Sequence, residues 1–241
     1  MSVTIPRPAS TIVVLRDAAE SPFEILLVRR NDKVAFMAGA YVFPGGRVDD
    51  EDLVRAQTLG AEPSGASRFT DLTSDQERAY RVAAVRELEE EAAVRLTIDD
   101  LVPIAHWVTP ESETRRYDTR FYIAQMPNGQ EARHDEGEMT ELAWLPAEEA
   151  IDRCRQGAIM LPPPTWTTLK RLARFASIAE AFDWARSTTI VRVEPHLTRA
   201  DQTAMLTLPG DPLYPASPDW EVPEDTRFVL EEGKGWKPAR A

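Results

Sequence analysis

Between Val85 and Val94 the sequence reads VRELEEEAAV, one arginine and four glutamates within ten residues. Successive residues of an α-helix rotate by about 100°, so Glu87, Glu90 and Glu91 fall within one arc. Ala84, Val85, Leu88 and Ala92 occupy the neighbouring side, while Glu89 points away from the acidic arc. Carboxylates one turn apart on a rigid support are the donors that hard divalent cations such as Mg²⁺ or Mn²⁺ take. Arg86, four residues before Glu90, can steady it, but one guanidinium does not balance three carboxylates. The cluster also lies toward the carboxyl end of its helix, where the macrodipole disfavours negative charge. A solvated helix face is the plainer account and suits Glu89. The conjunction with a Pro-Gly-Gly turn upstream, in YVFPGGRV, favours an ion site for the other three.

Further groups could act beside that helix. HDEGEMTELAWLP places Glu136 and Glu138 just before a strand; Glu138 is the first choice for a general base, with a solvated loop carboxylate as its rival account. TRRYDTRFY gathers Arg115, Arg116 and Arg120 around Tyr117 in an otherwise acidic protein. Such a cluster could grip phosphates. Strand alternation equally puts Arg116, Asp118 and Arg120 on one face, where they could form a structural ion pair. Arg29 and Arg30 end an upstream strand, and Arg30 joins the phosphate-binding candidates. Phe36, Trp107 and Tyr117 could stack a base or simply fill a core. His106, His134 and His196 are scattered and take no metal role, and the lone Cys154, in IDRCRQG, reads as a helix side chain.

FPGGRVD followed by RELEEEAAV resembles the Nudix box, in which a glycine and a spacer precede Arg-Glu-apolar-any-Glu-Glu-any-Gly-apolar. Arg86, Glu87, Leu88, Glu90, Glu91 and Val94 fall on motif positions. Ala93 replaces the motif glycine, a change expected only to alter how the helix ends. Gly46 and Arg86 are 40 positions apart, a spacer far longer than usual, and Glu77 sits one residue out of register for the spacer glutamate. With AFMAGAYVFPGG, WVTPESETRRYDTRFYIA and LPPPTW, the sequence is similar to the Nudix branch containing the peroxisomal coenzyme A diphosphatase. The resemblance implies a mixed β-sheet sandwiched between helices and a Mg²⁺- or Mn²⁺-dependent hydrolase. Its substrate would be a nucleoside diphosphate joined to another group, coenzyme A or a derivative among them. It implies Glu87, Glu90 and Glu91 as metal ligands with the Gly46 carbonyl, Arg86 as their orienting partner, and Glu87 or a later acidic residue as base. An ADP-ribose, dinucleotide or nucleoside triphosphate pyrophosphohydrolase, and a non-catalytic nucleotide-sensing or scaffold module, are the alternatives.

The elements that must carry these groups read as an α+β domain. STIVVLRD, FEILLVRR, YVFPGGRV, LVPIAHWVTP, TRFYIAQMP and MTELAWLP have the β-branched and apolar runs of strands. A long helix is predicted from about Asp75 to Arg95, capped by Ser74 with Glu77. AEEAIDRCRQG and PTWTTLKRLARFASIAEAFDWARS have helical spacing. Residues 49–73 read as a polar, irregular surface insertion within the box. Residues 1–187 form the expected domain, and 188–241, with short strand candidates between proline-rich loops, an extension that could cover the pocket or form a homodimer contact. At 241 residues the chain can bury a full core, and no apolar run is long enough to cross a bilayer. The absence of an export signal or a peroxisomal or reticular tail predicts a cytoplasmic protein. A net charge of −12 opposes nucleic-acid binding, so a phosphorylated partner should be small and locally neutralised.

Overall fold

The computed structural model describes residues 4–32, 37–59, 67–134, 139–200, 203–216, 220–231 and 235–239. Its main body is a mixed sheet built on β1 (Arg7–Arg16), whose neighbours are β2 (Glu24–Arg30) on one side and β6 (Tyr117–Gln125) on the other. β1 and β6 run parallel, with Arg7–Leu15 in register with Tyr117–Gln125. β3 (Tyr41–Val42) and β7 (Met139–Leu145) extend the β2 side, while β5 (Val102–Val108) and β8 (Arg192–Val193) extend the β6 side. β4 (Gly45–Arg47) pairs with the first half of β1, setting Gly46 opposite Ser10.

The central strands are apolar without alternation because both faces are covered. Val13 and Leu15 of β1, Ile25 and Leu27 of β2, and Phe121 and Ile123 of β6 enter one core. Helices α3 (Ala147–Arg155), α4 (Pro163–Leu172) and α5 (Ile178–Ser187) supply the other side of that core. Ile12, Val14, Leu26, Tyr122 and Ala124 face the opposite way into a second core, filled by α2 (Ser74–Ala92) through Tyr80, Ala84, Leu88 and Ala92. These four recur every fourth residue, the spacing of one helical stripe. Burying Leu88 completely contributes about 1.5–3 kcal/mol, so the acidic helix is anchored by its apolar side. This is the expected mixed sheet between helices.

Local departures have identifiable causes. The segment expected to be irregular contains α1 (Asp50–Thr58), which packs Ala56 against Ala79 and Val82 of α2. Three acidic residues in its first turn and the reciprocal Asp49/Asp52 capping box favour that start. Gly60, Pro63, Ser64 and Gly65, the basis for the irregular reading, lie outside the described residues. α2 is capped one residue earlier than expected, by Thr73 with Gln76. Glu77 is instead buried against Arg81, at 3.0 and 2.8 Å. α2 also stops at Ala92, because Ala93 adopts the left-handed conformation at φ 55° and donates its N–H to the Glu89 carbonyl. The stretch from Pro163 to Ser187 divides into α4 and α5, with Pro163 and Pro164 starting α4 where their missing N–H groups do no harm.

Residues beyond Ser187 form β8 and a four-stranded antiparallel sheet of β9 (His196–Ala200), β10 (Thr203–Thr207), β11 (Arg227–Glu231) and β12 (Gly235–Ala239). Leu206, Leu208 and Phe228 enter the first core, and Trp166 of α4 donates to Asp225 at 2.9 Å. Among the described residues no helix is long and apolar enough to cross a membrane.

Candidate active site

A cleft of about 1000 Å³ runs along the exposed side of α2. Its acidic end is formed by Glu87, Glu90 and Glu91 with Arg86, and by the Gly45–Gly46 turn of β4. Ser10 of β1, opposite Gly46, lines it as well. The turn and the helix meet closely. A Cβ added to Gly46 would lie 2.3 Å from the Glu87 carboxyl carbon, so any other side chain there would displace that carboxylate. A Cβ on Gly45 would lie 2.3 Å from the Ser10 carbonyl oxygen. The Gly45 N–H donates to Glu91 Oε2 at 2.9 Å, which ties down a carboxylate that is only 7% exposed.

Arg86 organises the acidic end with all five of its N–H groups. Nε and Nη2 donate to the two oxygens of Asp52 at 3.0 and 2.9 Å. Nη1 donates to Glu87 at 2.9 Å and Glu90 at 3.0 Å, and Nη2 also to the Arg47 carbonyl at 3.0 Å. A guanidinium has five donors in a fixed fork, and no other side chain could make this set. The Asp52 hydrogen bonds, above all, hold the arginine protonated well above its ordinary value; the Glu87 charge adds to this, and burial works against it. Asp52 itself is 2% exposed and also accepts the Asp49 N–H at 2.9 Å. This residue escaped the sequence reading. Its signal was the three-residue spacing of Asp49 and Asp52 ahead of an apolar helical stripe, a start signal hidden in a run of acids.

The donors suit a hard divalent cation in chemistry: carboxylate oxygens on one cleft wall, two of them against a glycine turn whose backbone is bare of side chains. Ser10 Oγ, at the same strand pair, is buried with no hydrogen-bond partner among the described residues. No three histidine, cysteine, aspartate or glutamate side chains among the described residues are already gathered as an ion cage. Glu87 and Glu90 are instead held by Arg86. Glu89, read as lying outside the arc, pairs with Arg95 at 2.7 Å.

The other candidates separate. Arg30 and Tyr117 line the cleft, and so does Trp107, although it is mostly core. Arg115 is exposed and does not line the cleft. Arg116 is 4% exposed and bonds the Thr4 carbonyl at 2.7 Å, the Thr109 carbonyl at 3.0 Å and the Glu194 carboxylate. Arg120 is 1% exposed, pairs with Asp118 and with Asp71 at 2.6 Å, and lies over the rings of Phe69 and Tyr80. Both arginines are therefore sequestered in structural pairs away from the cleft, because strand alternation turns them into the body of the fold. His106 joins that network through Asp118 at 2.9 Å. Glu136, Glu138 and Phe36 lie outside the described residues. Cys154 is buried in α3, as its sequence context suggested.

Part of the cleft lining is apolar and was not foreseen residue by residue. Met160 and the prolines at 162–164 form it together with Leu206, Leu230 and Trp236 of the carboxy-terminal sheet.

Comparison with known proteins adds a lineage to this geometry. The family model of the NUDIX domain matches residues 6–163. The acyl-coenzyme A diphosphatase NUDT19 of Homo sapiens is 25% identical, over 95% of this chain and 83% of that protein. Its namesake in Gallus gallus is 27% identical, over 82% and 74%. Among solved structures, a NUDIX hydrolase from Alicyclobacillus acidocaldarius superposes with a TM-score of 0.65 at 25% identity, covering 76% of this chain and 97% of that one. The family match opens on the residue before β1, takes in the glycine turn and the acidic helix, and closes at the first residue of α4, and on that span the chain belongs to the Nudix hydrolases.

Proposed function

We propose that this hydrolase cleaves the diphosphate of coenzyme A or an acylated coenzyme A, using Mg²⁺ or Mn²⁺. The observation that carries the reading is the composition of the cleft, acidic at the glycine turn and apolar at the carboxy-terminal sheet, within one cavity. A coenzyme A thioester has the same polarity along its length: a nucleoside diphosphate at one end, an apolar acyl group at the other. The curated relatives named acyl-coenzyme A diphosphatase support the same substrate class.

The reaction adds the oxygen of a water molecule to one phosphorus and breaks its bond to the bridging oxygen, releasing a proton. Coenzyme A would give adenosine 3′,5′-bisphosphate and phosphopantetheine. Nudix hydrolases generally use divalent metals, and here Glu87, Glu90 and Glu91, with the Gly46 carbonyl, are the proposed ligands. The cation would supply neutralisation of the charge that develops on the phosphate oxygens. Arg86 keeps the carboxylates oriented through its fork, and the Asp52 contact keeps Arg86 in place. Arg30 and Tyr117, in the cleft wall, are proposed to contact the substrate. The proton acceptor is drawn from Glu87 and Glu138.

The test is a Mg²⁺-supported panel of coenzyme A, acyl-coenzyme A, ADP-ribose, NADH and dinucleotide polyphosphates, with products identified by mass. Cleavage should be fastest for coenzyme A compounds. The double variant Glu90→Gln, Glu91→Gln should lower turnover by about 100-fold or more, as when a main electrostatic stabiliser is lost. Preference for ADP-ribose or dinucleotides, or undiminished turnover in the double variant, would overturn the reading.

A further inference from the structure

The carboxy-terminal sheet has one apolar face, and only part of it is covered by protein. Directly paired residues of antiparallel strands share a face, as do residues two apart on one strand. Leu206 pairs with Phe228 and Phe228 with Pro238, while Leu230 pairs with Trp236. Phe228 and Leu230 are two apart, so both rows lie on the same face. The first row is sealed against the main core: Phe228 is fully buried and Leu206 is 5% exposed. The second row is not sealed. Leu230 is 47% exposed, and both Leu230 and Trp236 line the cleft that contains Glu87. An apolar face that closes over the core at one row and opens into the hydrolytic cleft at the next has the form of a binding wall.

Met160 lines the same cleft beside this wall. Met160 accepts the Tyr41 N–H through its carbonyl at 2.9 Å, and its sulfur lies 2.3 Å from where a Cβ on Gly235 would stand. Met160 thus bridges the start of β3 and the start of β12. Its unbranched thioether can repack around guests of different length. The cavity volume of about 1000 Å³ lies at the upper end of the roughly 300–1,000 Å³ usual for ligand pockets, which leaves room beyond a nucleoside diphosphate.

We propose that the Leu230–Trp236 row, with Met160, seats the acyl chain of an acylated coenzyme A, and that the residues after Ser187 thereby select the substrate. This rests on the coenzyme A reading above. The acyl chain is the one part of such a substrate that brings no hydrogen-bonding group to a wall of leucine, methionine and an indole face. A nucleobase would leave its polar edges unmatched there.

The experiment measures kcat/KM with Mg²⁺ for free, acetyl-, hexanoyl- and decanoyl-coenzyme A. In the natural protein the value should climb with chain length, with a ceiling of about fourfold per buried methylene. Trp236→Ala should flatten the climb, its loss growing with chain length, and Trp236→Phe should restore part of it. Leu230→Trp, at a half-exposed position where folding is least at risk, should reject decanoyl- before acetyl-coenzyme A. Cleavage of free and acylated coenzyme A with equal kcat/KM would overturn this inference and leave the coenzyme A reading standing. A chain-length climb that survives both Trp236→Ala and Leu230→Trp would do the same. Cleavage of no coenzyme A compound would overturn the reading beneath it as well.

Discussion

Replacing Asp52 by asparagine tests the claim that a helix outside the acidic motif holds that motif in working order. The buried carboxylate accepts Nε and Nη2 of Arg86 and the Asp49 N–H, all at 2.9–3.0 Å. Asparagine has the same size but only one acceptor oxygen, so its amide must present N–H groups to at least one N–H donor. One charge-assisted bond is lost and another loses its charged acceptor. Hydrogen bonds to charged groups contribute about 1.5–3 kcal/mol each. Because the Arg86 side chain is 23% exposed, water recovers part of the loss. A destabilisation of about 2–3 kcal/mol is expected, read as a lower urea midpoint at unchanged slope. Arg86 keeps Glu87, Glu90 and the Arg47 carbonyl, yet without its anchor the fork can swing. A partner that acts on ligands from behind typically changes metal affinity or activity by about 10–100-fold. Mn²⁺ affinity and kcat should both fall in that range. An Asp52→Asn protein with the natural urea midpoint, Mn²⁺ affinity and kcat would refute the anchoring argument.

Gly46→Ala should fold normally but lose at least about tenfold in kcat, because its Cβ would stand 2.3 Å from the Glu87 carboxylate; circular dichroism with steady-state kinetics checks both halves. Ala93→Gly should stabilise the protein by about 0.5–1 kcal/mol in urea, since a left-handed residue with a Cβ is strained by about 1–2 kcal/mol and glycine returns part of that as chain entropy. Burial would raise the Asp118 carboxyl, but the His106 hydrogen bond and the Arg120 charge outweigh it and hold it below its ordinary value of about 3.8. A depressed folded-state pKa means this stabilisation is complete above that value and is lost as pH falls through the folded one. Asp118→Asn should therefore be less stable than the natural protein at pH 7, with the gap narrowing below about pH 3.8. A gap that stays constant on acidification would contradict this.

The sheet and the acidic helix were legible because each rests on a local signal. Ile12–Leu15 and Ile25–Val28 are β-branched and apolar enough to be strands anywhere, and Tyr80, Ala84, Leu88 and Ala92 mark a buried stripe. The placement of Arg116 and Arg120 was not legible. Alternation shows that they share a face, but which face meets the cleft depends on the parallel pairing of β6 with β1, a contact between segments about a hundred residues apart. Asp52 was missed for a related reason: its partner Arg86 lies 34 positions on, and the Asp49–Asp52 spacing marks a helix start without showing that Asp52, unlike its neighbours Asp50 and Glu51, is buried. The apolar wall is a third case, since Leu230 and Trp236 become a surface only once β11 and β12 pair.

The charge distribution now bears on how an anionic substrate is met. Two arginines that a sequence reading would give to phosphate are spent inside the fold, with Glu194 and with Asp118 and Asp71. The cleft itself is lined by Asp49, Glu87, Glu90, Glu91 and Glu113 against Arg30, Arg47 and Arg86. Arg86 already gives every N–H to protein acceptors, and Arg47 pairs with Asp49 at 3.6 Å. A diphosphate entering this space meets more negative than positive charge, in a protein whose net charge is −12. Repulsion of that kind is screened by salt only over distances beyond about 8–10 Å, not between groups in contact. On the proposed reading, binding and catalysis would therefore call on the same cation: the ion that would activate the reaction would also make an acidic cleft habitable for an anion. That dual demand gives a physical reason for keeping three carboxylates on the last turns of a helix whose dipole opposes them.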